Sequence, residues 1–212
     1  MKCDRKILRL YAVTDRAWVG VGTLEQQVEA ALKGGATCVQ LREKGMNEEE
    51  LLQEALRMKE ICRRYGVPLI INDHVEVALR AGADGVHVGQ QDMPVARVRE
   101  LAGNRLMVGV SARTVEQALE AERGGADYLG AGAVFGTSTK QDARFLPYET
   151  LQAICRAVSI PVCAIGGINR ENMLKLTGSG IAGAAVVSAI FGAPSVEDAC
   201  RELRALSEEV SE

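Results

Sequence analysis

Aromatic side chains are scarce in this sequence, 4 % of 212 residues with a single Trp, so it offers no row of rings on which unpaired bases would stack. A basic excess is missing too. Lys and Arg number 25 against 28 Asp and Glu, a formal charge of −3, which removes the electrostatic footprint of a nucleic-acid-binding protein. The six cysteines form no C-x-x-C pair and have no His at zinc-ligand spacing. Cys38 and Cys163 lie in apolar runs and read as reduced core residues, since a chain this long builds a core without a disulfide framework. The longest apolar run, residues 181–191, contains Gly183 and Ser188 and is too short to span a bilayer. The first nine residues carry charges and no apolar stretch of the kind a secretory signal needs, so a cytoplasmic location is expected. No linker, charge block or low-complexity segment divides the chain, and residues 1–212 read as one domain. The oligomeric state stays open, a homo-oligomer included.

What is present is a regular alternation. Short apolar runs at residues 8–13, 38–41, 67–71, 85–88, 106–110, 128–129, 160–165 and 181–187 read as strands. Between them lie amphipathic stretches. One starts at Thr23 and ends at Gly34-Gly35; another is capped by Asn47 and runs to about Gly66. Further helices are expected at 75–80, from Pro94, at 114–123, from Pro147, at 169–176 and at 196–209. Many strands are solidly apolar, as in a parallel sheet covered on both faces. Eight βα units in strict order predict a single (β/α)8 TIM barrel. An open doubly wound sheet is the alternative, but the G-x-G-x-x-G that usually follows its first strand is absent. One connection, residues 130–146, is long and rich in Gly, Ser, Thr and Lys, which marks a functional loop.

In such a barrel, chemistry is carried on the rim at the C-terminal strand ends. The residues there are polar or glycine: Gln40, Arg42, Glu43 and Lys44 after strand two, and Asn72, Asp73 and His74 after strand three. Gln90, Gln91 and Asp92 follow strand four, Ser111 and Arg113 strand five, and Thr137, Ser138, Thr139 and Lys140 strand six. Gly166 and Gly167 follow strand seven, and Val187 and Ser188 stand at strand eight. Gln40 and Arg42 are two apart and share a face. Arg42 is either an anion clamp, its fork matching phosphate oxygens and Lys44 adding a point charge, or part of a solvated salt-bridge face in which Glu43 pairs with one of the two cations. Asp73 and Asp92 sit on adjacent strand ends. Each alone reads as a helix cap; together, beside Arg42 and Lys140, they suit one Mg2+ shared with substrate phosphates. Gly166-Gly167 and Val187-Ser188 occupy the loops where many barrels bind phosphate through backbone N–H groups. His87 lies inside an apolar run and reads as a hydrogen-bonded interior residue. No Ser-His-Asp set and no Cys with an activating His can be assembled. The pattern implies two anion sites, one cationic and metal-assisted, the other built from peptide N–H groups.

Several stretches resemble the signature motifs of the thiamine phosphate synthase family. They are Leu10-Tyr11-Ala12-Val13-Thr14-Asp15, Val39-Gln40-Leu41-Arg42-Glu43-Lys44, Ile71-Asn72-Asp73, Gly85-Val86-His87-Val88-Gly89-Gln90-Gln91-Asp92, Val110-Ser111, Gly136-Thr137-Ser138-Thr139-Lys140 and Ala164-Ile165-Gly166-Gly167-Ile168. They occur in the family's order and at its spacing. The resemblance implies a transferase that couples a pyrimidine diphosphate to a thiazole phosphate with Mg2+, releasing diphosphate. By matching position, Gln40, Leu41, Arg42, Glu43, Lys44, Asn72, Ser111 and Lys140 would bind the pyrimidine diphosphate, with Arg42, Lys44, Ser111 and Lys140 catalytic. Asp73 and Asp92 would hold Mg2+. Thr137, Ser138, Thr139, Gly167, Val187 and Ser188 would bind the thiazole phosphate. The sequence departs from the family at Ala131-Gly132-Ala133 and Gly136, near which proline is common, and at His74, where a second Asp often follows Asp73. The related thiazole tautomerases share the barrel but resemble this chain less in its diphosphate and Mg2+ residues.

Overall fold

A computed structural model describes residues 3–20, 22–136 and 145–211. Residues 137–144, which include Thr137, Ser138, Thr139 and Lys140, lie outside the described residues. Eight parallel strands close into a barrel in sequence order. They are β1 (Leu10–Val13), β2 (Cys38–Leu41), β3 (Leu69–Asn72), β4 (Gly85–Val88), β5 (Met107–Ala112), β6 (Tyr128–Gly132), β7 (Val162–Ile165) and β8 (Gly183–Val186). The helices between them are α1 (Leu24–Lys33), α2 (Glu48–Arg64), α3 (Val75–Arg80), α4 (Val95–Ala102), α5 (Val115–Arg123), α6 (Tyr148–Ala157), α7 (Ser188–Phe191) and α8 (Val196–Ser211). Thr23 and Asn47 each close a capping box over the first turn of α1 and α2, which fixes where those helices begin.

Side-chain parity divides the core into two clusters. Leu10, Val39, Leu41, Leu69, Ile71, Val86, Val88, Val108, Val110 and Leu129 point outward and pack under the helices. Tyr11, Val13, Cys38, Ile70, Met107, Tyr128, Cys163 and Ala185 point inward. Both faces of every strand are therefore covered, and this explains why the runs are apolar without alternation.

A second pattern lies at the opposite end from the candidate rim. β2, β4 and β6 are each preceded by Gly-Ala and then Thr37, Asp84 or Asp127. Those side chains accept the N–H of Leu10, Leu69 and Val108, each at 2.8 Å, on the preceding strand. Asp84 also accepts from Lys59 Nζ at 2.6 Å. Asp84→Ala leaves a backbone N–H and an ammonium without this acceptor, so it is expected to lower stability by about 1–3 kcal/mol. Urea unfolding should show a lower midpoint at unchanged slope; an unshifted midpoint contradicts the assignment.

Two segments differ from the sequence expectation. Residues 169–176 do not form a helix beyond the 3-10 turn Met173–Leu176. Asn169 Oδ1 accepts from the Glu171 N–H at 2.9 Å, and Asn172 Oδ1 from the Asn169 N–H at 2.8 Å. These side chains cap N–H groups that a helix starting at Asn169 would itself leave unpaired, while Lys175 and Thr177 donate three residues back, to the carbonyls of Asn172 and Leu174, so the turn is 3-10. The eighth strand ends at Val186, so Ser188 is not a strand residue but the first residue of α7. Four residues are too few to leave a periodic trace in sequence.

Candidate active site

One pocket opens at the C-terminal end of the strands. Gln40, Arg42, Asn72, Ser111, Gly167, Val187 and Ser188, all anticipated from sequence, line it together. Arg113, which the sequence reading placed on the rim without a role, lines it as well. Three neighbours of Arg42 at the end of β2 and in the loop after it do not. The Leu41 side chain has the opposite parity and is buried in the outer cluster. Glu43 is drawn away by Arg16, whose Nε donates to it at 2.9 Å. Lys44 is exposed.

Arg42 is held at the rim by β1. Thr14 is fully buried, and its hydroxyl accepts the Arg42 N–H at 2.9 Å. Arg42 NH1 then donates to Asp15 Oδ2 at 3.2 Å. The ion pair at this Arg is thus with Asp15, not with Glu43, and it holds a guanidinium that lines the pocket. Asp15 also accepts from the Ala17 N–H, which fixes its own carboxylate.

Asp73 and Asp92 are brought together beside this pocket, next to Asn72. Asp73 is the non-glycine residue with positive φ among the described residues, at 62°, a conformation that costs energy and recurs where function demands it. Its N–H donates to the His87 carbonyl at 2.8 Å, which ties the turn to β4. Asn72 Nδ2 donates to its carboxylate at 2.6 Å. Asp92 Oδ2 accepts the Gly89 N–H at 2.7 Å, so it closes its own loop and does not cap α4. Burial pushes the Asp73 carboxyl up to about 6, helped by the charge of Asp92 and a hydrogen bond between the two side chains. A half-buried Asp73 whose proton affinity is raised by a facing carboxylate forms with it a pair that a divalent cation would relieve. Among the described residues no group of three or more His, Cys, Asp or Glu side chains converges on one point, so a cation here would complete its shell with oxygens from elsewhere.

The opposite wall is backbone. Gly166 and Gly167 have φ of 103° and 66°, and a Cβ on either would run into Ala133 or the Phe135–Gly136 backbone. Only glycine lets the sixth and seventh loops come this close. Asn172 Nδ2 holds the turn by donating to the Gly167 carbonyl at 2.8 Å. Val187 and Ser188 stand at the start of α7, where the first helical N–H groups have no partner within the helix.

Two tyrosines in the pocket wall, Tyr11 and Tyr128, escaped the sequence reading, although parity carries the signal. Val13 pairs with Gln40 across β1 and β2, so an inward Gln40 implies an inward Tyr11 two residues earlier. His87 is hydrogen-bonded in the interior, as its apolar surroundings led one to expect. Cys163 lines the pocket too, but burial raises its thiol far above the ordinary range and leaves it without nucleophilic character.

The sequence profile of the family described as thiamine monophosphate synthase matches residues 10–190. A thiamine-phosphate synthase of Ruminiclostridium cellulolyticum is 52 % identical over 194 residues, covering 92 % of each chain. One from Chloroflexus aurantiacus is 51 % identical over 199 residues, covering 93 % of this chain and 92 % of its own. Among solved structures, a thiamine phosphate pyrophosphorylase from Pyrococcus furiosus superposes with a TM-score of 0.90 at 43 % identity, covering 97 % of this chain and 98 % of that one. A 3-hexulose-6-phosphate synthase matches with a TM-score of 0.68 at 19 % identity and shares the barrel alone.

Proposed function

Because the chain belongs to the thiamine monophosphate synthase family of transferases, we propose the full reaction that its pocket supports. It joins 4-amino-2-methyl-5-hydroxymethylpyrimidine diphosphate to 4-methyl-5-(2-phosphoethyl)thiazole or its carboxylated form, giving thiamine phosphate and diphosphate. The observation that carries this reading is the two-sided pocket: a guanidinium on one side with a carboxylate pair beside it, and bare peptide N–H groups on the other.

Arg42 would bind the diphosphate with the donors that Asp15 leaves to it, and Asn72 would add an amide N–H. Arg113 supplies a second guanidinium to the pocket lining. Asp73 and Asp92 would hold Mg2+, and their mutual crowding favours that fit. When bound, Mg2+ supplies neutralisation of the charge that develops on the departing diphosphate. Gln40 and Ser111 would bind the pyrimidine, whose amino group stabilises the methylene cation left by dissociation. The N–H groups at Gly167, Val187 and Ser188 would hold the thiazole phosphate so that the thiazole nitrogen faces that carbon. Lys140, Lys44 and Thr137 to Thr139 would contribute further phosphate contacts, as their family positions imply. No general base is required, because the attacking nitrogen carries no proton; positioning and electrostatics provide the rate.

The test is chromatographic. Incubated with both substrates and Mg2+, the protein should produce thiamine phosphate and diphosphate in equal amounts, and neither substrate alone should be consumed. Conversion of the thiazole phosphate by itself, with no diphosphate formed, is the outcome of an isomerase and contradicts the proposal.

A further inference from the structure

A line of five polar side chains crosses the barrel interior at the floor of the pocket. Gln40 Nε2 donates to the Tyr11 hydroxyl at 2.7 Å, and the Tyr11 and Tyr128 hydroxyls meet at 2.9 Å. The Tyr128 hydroxyl meets His87 Nδ1 at 3.1 Å, and His87 Nε2 meets Ser111 Oγ at 3.0 Å. The two ends, Gln40 and Ser111, line the pocket.

Hydrogen counting gives this line a direction. Each phenol has one proton to donate. The Tyr11 oxygen accepts from the amide, so its proton goes to Tyr128. The Tyr128 oxygen accepts from Tyr11, so its proton goes to His87 Nδ1. A neutral imidazole that accepts at Nδ1 carries its hydrogen on Nε2 and donates it to Ser111. The Ser111 oxygen is then an acceptor within the line, and its own proton is left for the pocket. At the other end one amide hydrogen of Gln40 is taken, and its carbonyl Oε1 is left for the pocket.

The surroundings fit a fixed device. Tyr11 and Tyr128 are 2 % and 1 % exposed, and burial holds both phenols well above their ordinary pKa, so both keep their protons. A Cβ at Gly109 would collide with the Tyr128 ring and lie 2.5 Å from His87 Nδ1; one at Gly130 would lie 3.1 Å from His87 Cε1. The space that lets the imidazole and the phenol meet exists because those two strand positions have no side chain.

We infer that Tyr11, Tyr128 and His87 are positioning residues whose one-way hydrogen-bonded line sets Gln40 as a carbonyl acceptor and Ser111 as a hydroxyl donor towards the pyrimidine ring. This rests on the reaction proposed above. An aminopyrimidine offers the complement: an exocyclic amino group that donates and ring nitrogens that accept. Reversing the line would require the Gln40 amide to turn over and the imidazole hydrogen to move to Nδ1, and both ends would then present the wrong polarity to that ring.

The test has two readouts. The first needs no substrate. The chain has only two histidines, so in 15N-histidine-labelled protein at pH 8 the ring nitrogens of His87 are assigned by loss of the His74 signals in His74→Gln. The expected tautomer is Nε2–H in the parent and a mixture in Tyr128→Phe; a parent with hydrogen on Nδ1 overturns the direction of the line. The second readout is kinetic. Tyr128→Phe and Tyr11→Phe should each raise KM for the pyrimidine diphosphate about tenfold, the worth of one mis-set hydrogen bond of about 1.4 kcal/mol, and leave KM for the thiazole phosphate unchanged. The double variant should be little worse than either single one, since one broken link already disables the line. A pyrimidine KM unchanged in both variants, or raised equally with the thiazole KM, overturns the positioning role. If the parent makes no thiamine phosphate at all, the functional reading fails and the presentation to a pyrimidine falls with it, while the tautomer still reports whether the line runs as drawn.

Discussion

Asp92→Asn is expected to slow Mg2+-dependent coupling by about 10²–10³-fold, because removing one of two carboxylates forfeits several kcal/mol of charge stabilisation at the leaving diphosphate. The same substitution should raise the melting temperature of the metal-free protein. In the parent, burial and the facing Asp92 push Asp73 up to about 6 from an ordinary 3.8. The sign follows from proton affinity. The folded state holds this proton more tightly than the unfolded chain does, so the contribution is fully present below about pH 3.8 and is lost as pH rises through about 6. Above about pH 6 Asp73 is ionised against the facing Asp92 charge, and a neutral amide at position 92 removes that charge. Other carboxylates act the opposite way: Glu122, for example, is lowered by its hydrogen bonds to Ser159, so the informative quantity is the difference between variant and parent. Melts in EDTA should show Asp92→Asn above the parent at pH 8, with the gap closing below pH 5. Added Mg2+ with diphosphate should stabilise the parent and leave the variant unmoved. A variant that is less stable in EDTA at pH 8 would mean that the pair is structural.

Arg42→Gln should lower kcat/KM for the pyrimidine diphosphate by about 10²–10³-fold, the usual loss when a charged donor to developing negative charge is removed. The guanidinium is held by Asp15 and by the Thr14 bond to its backbone, so it reaches the substrate already oriented. Arg42→Lys keeps the charge and loses the planar fork, and it should recover only part of the rate. Asp15→Asn keeps the shape of the orienting partner but not its charge, and should cost less than either. Across the series KM for the thiazole phosphate should stay constant, because the proposed seat of that substrate's phosphate is the backbone wall. Steady-state kinetics with each substrate varied in turn checks this; an equal rise in both KM values would place Arg42 outside the diphosphate site.

The barrel was legible because its strands are apolar on both faces and its helices carry readable caps. Thr23 and Asn47 announce their helices, and α1 and α2 begin where those residues place them. The segment at 169–176 has helical apolar spacing, yet Lys175 and Thr177 bond three residues back and not four; periodicity records hydrophobicity and not that tightening. α7 was missed because one turn has no period. At the site, Gln40, Arg42, Asn72 and Ser111 were found as polar residues where apolar runs stop, which is a local signal. The partners that orient them were not. Asp15 reaches Arg42 across 27 positions, and Tyr128 reaches Tyr11 across 117, so those contacts exist only once the barrel closes. Leu41, Glu43 and Lys44 flank Arg42 in the motif, but strand parity and the pull of Arg16 take the first two away from the pocket, and Lys44 stays exposed.

The central proposal is spatial: Asp73 and Asp92 would together hold one divalent cation, close enough to Arg42 to share a diphosphate with it. Crystals soaked with Mn2+ and diphosphate, measured at a wavelength where Mn2+ scatters anomalously, test it directly. The expected result is a single strong anomalous peak within bonding distance of both carboxylates, with phosphate oxygens bridging from the metal to the Arg42 guanidinium. A peak elsewhere, or diphosphate seated against Gly167 and Ser188 with no metal at the acidic pair, contradicts the account.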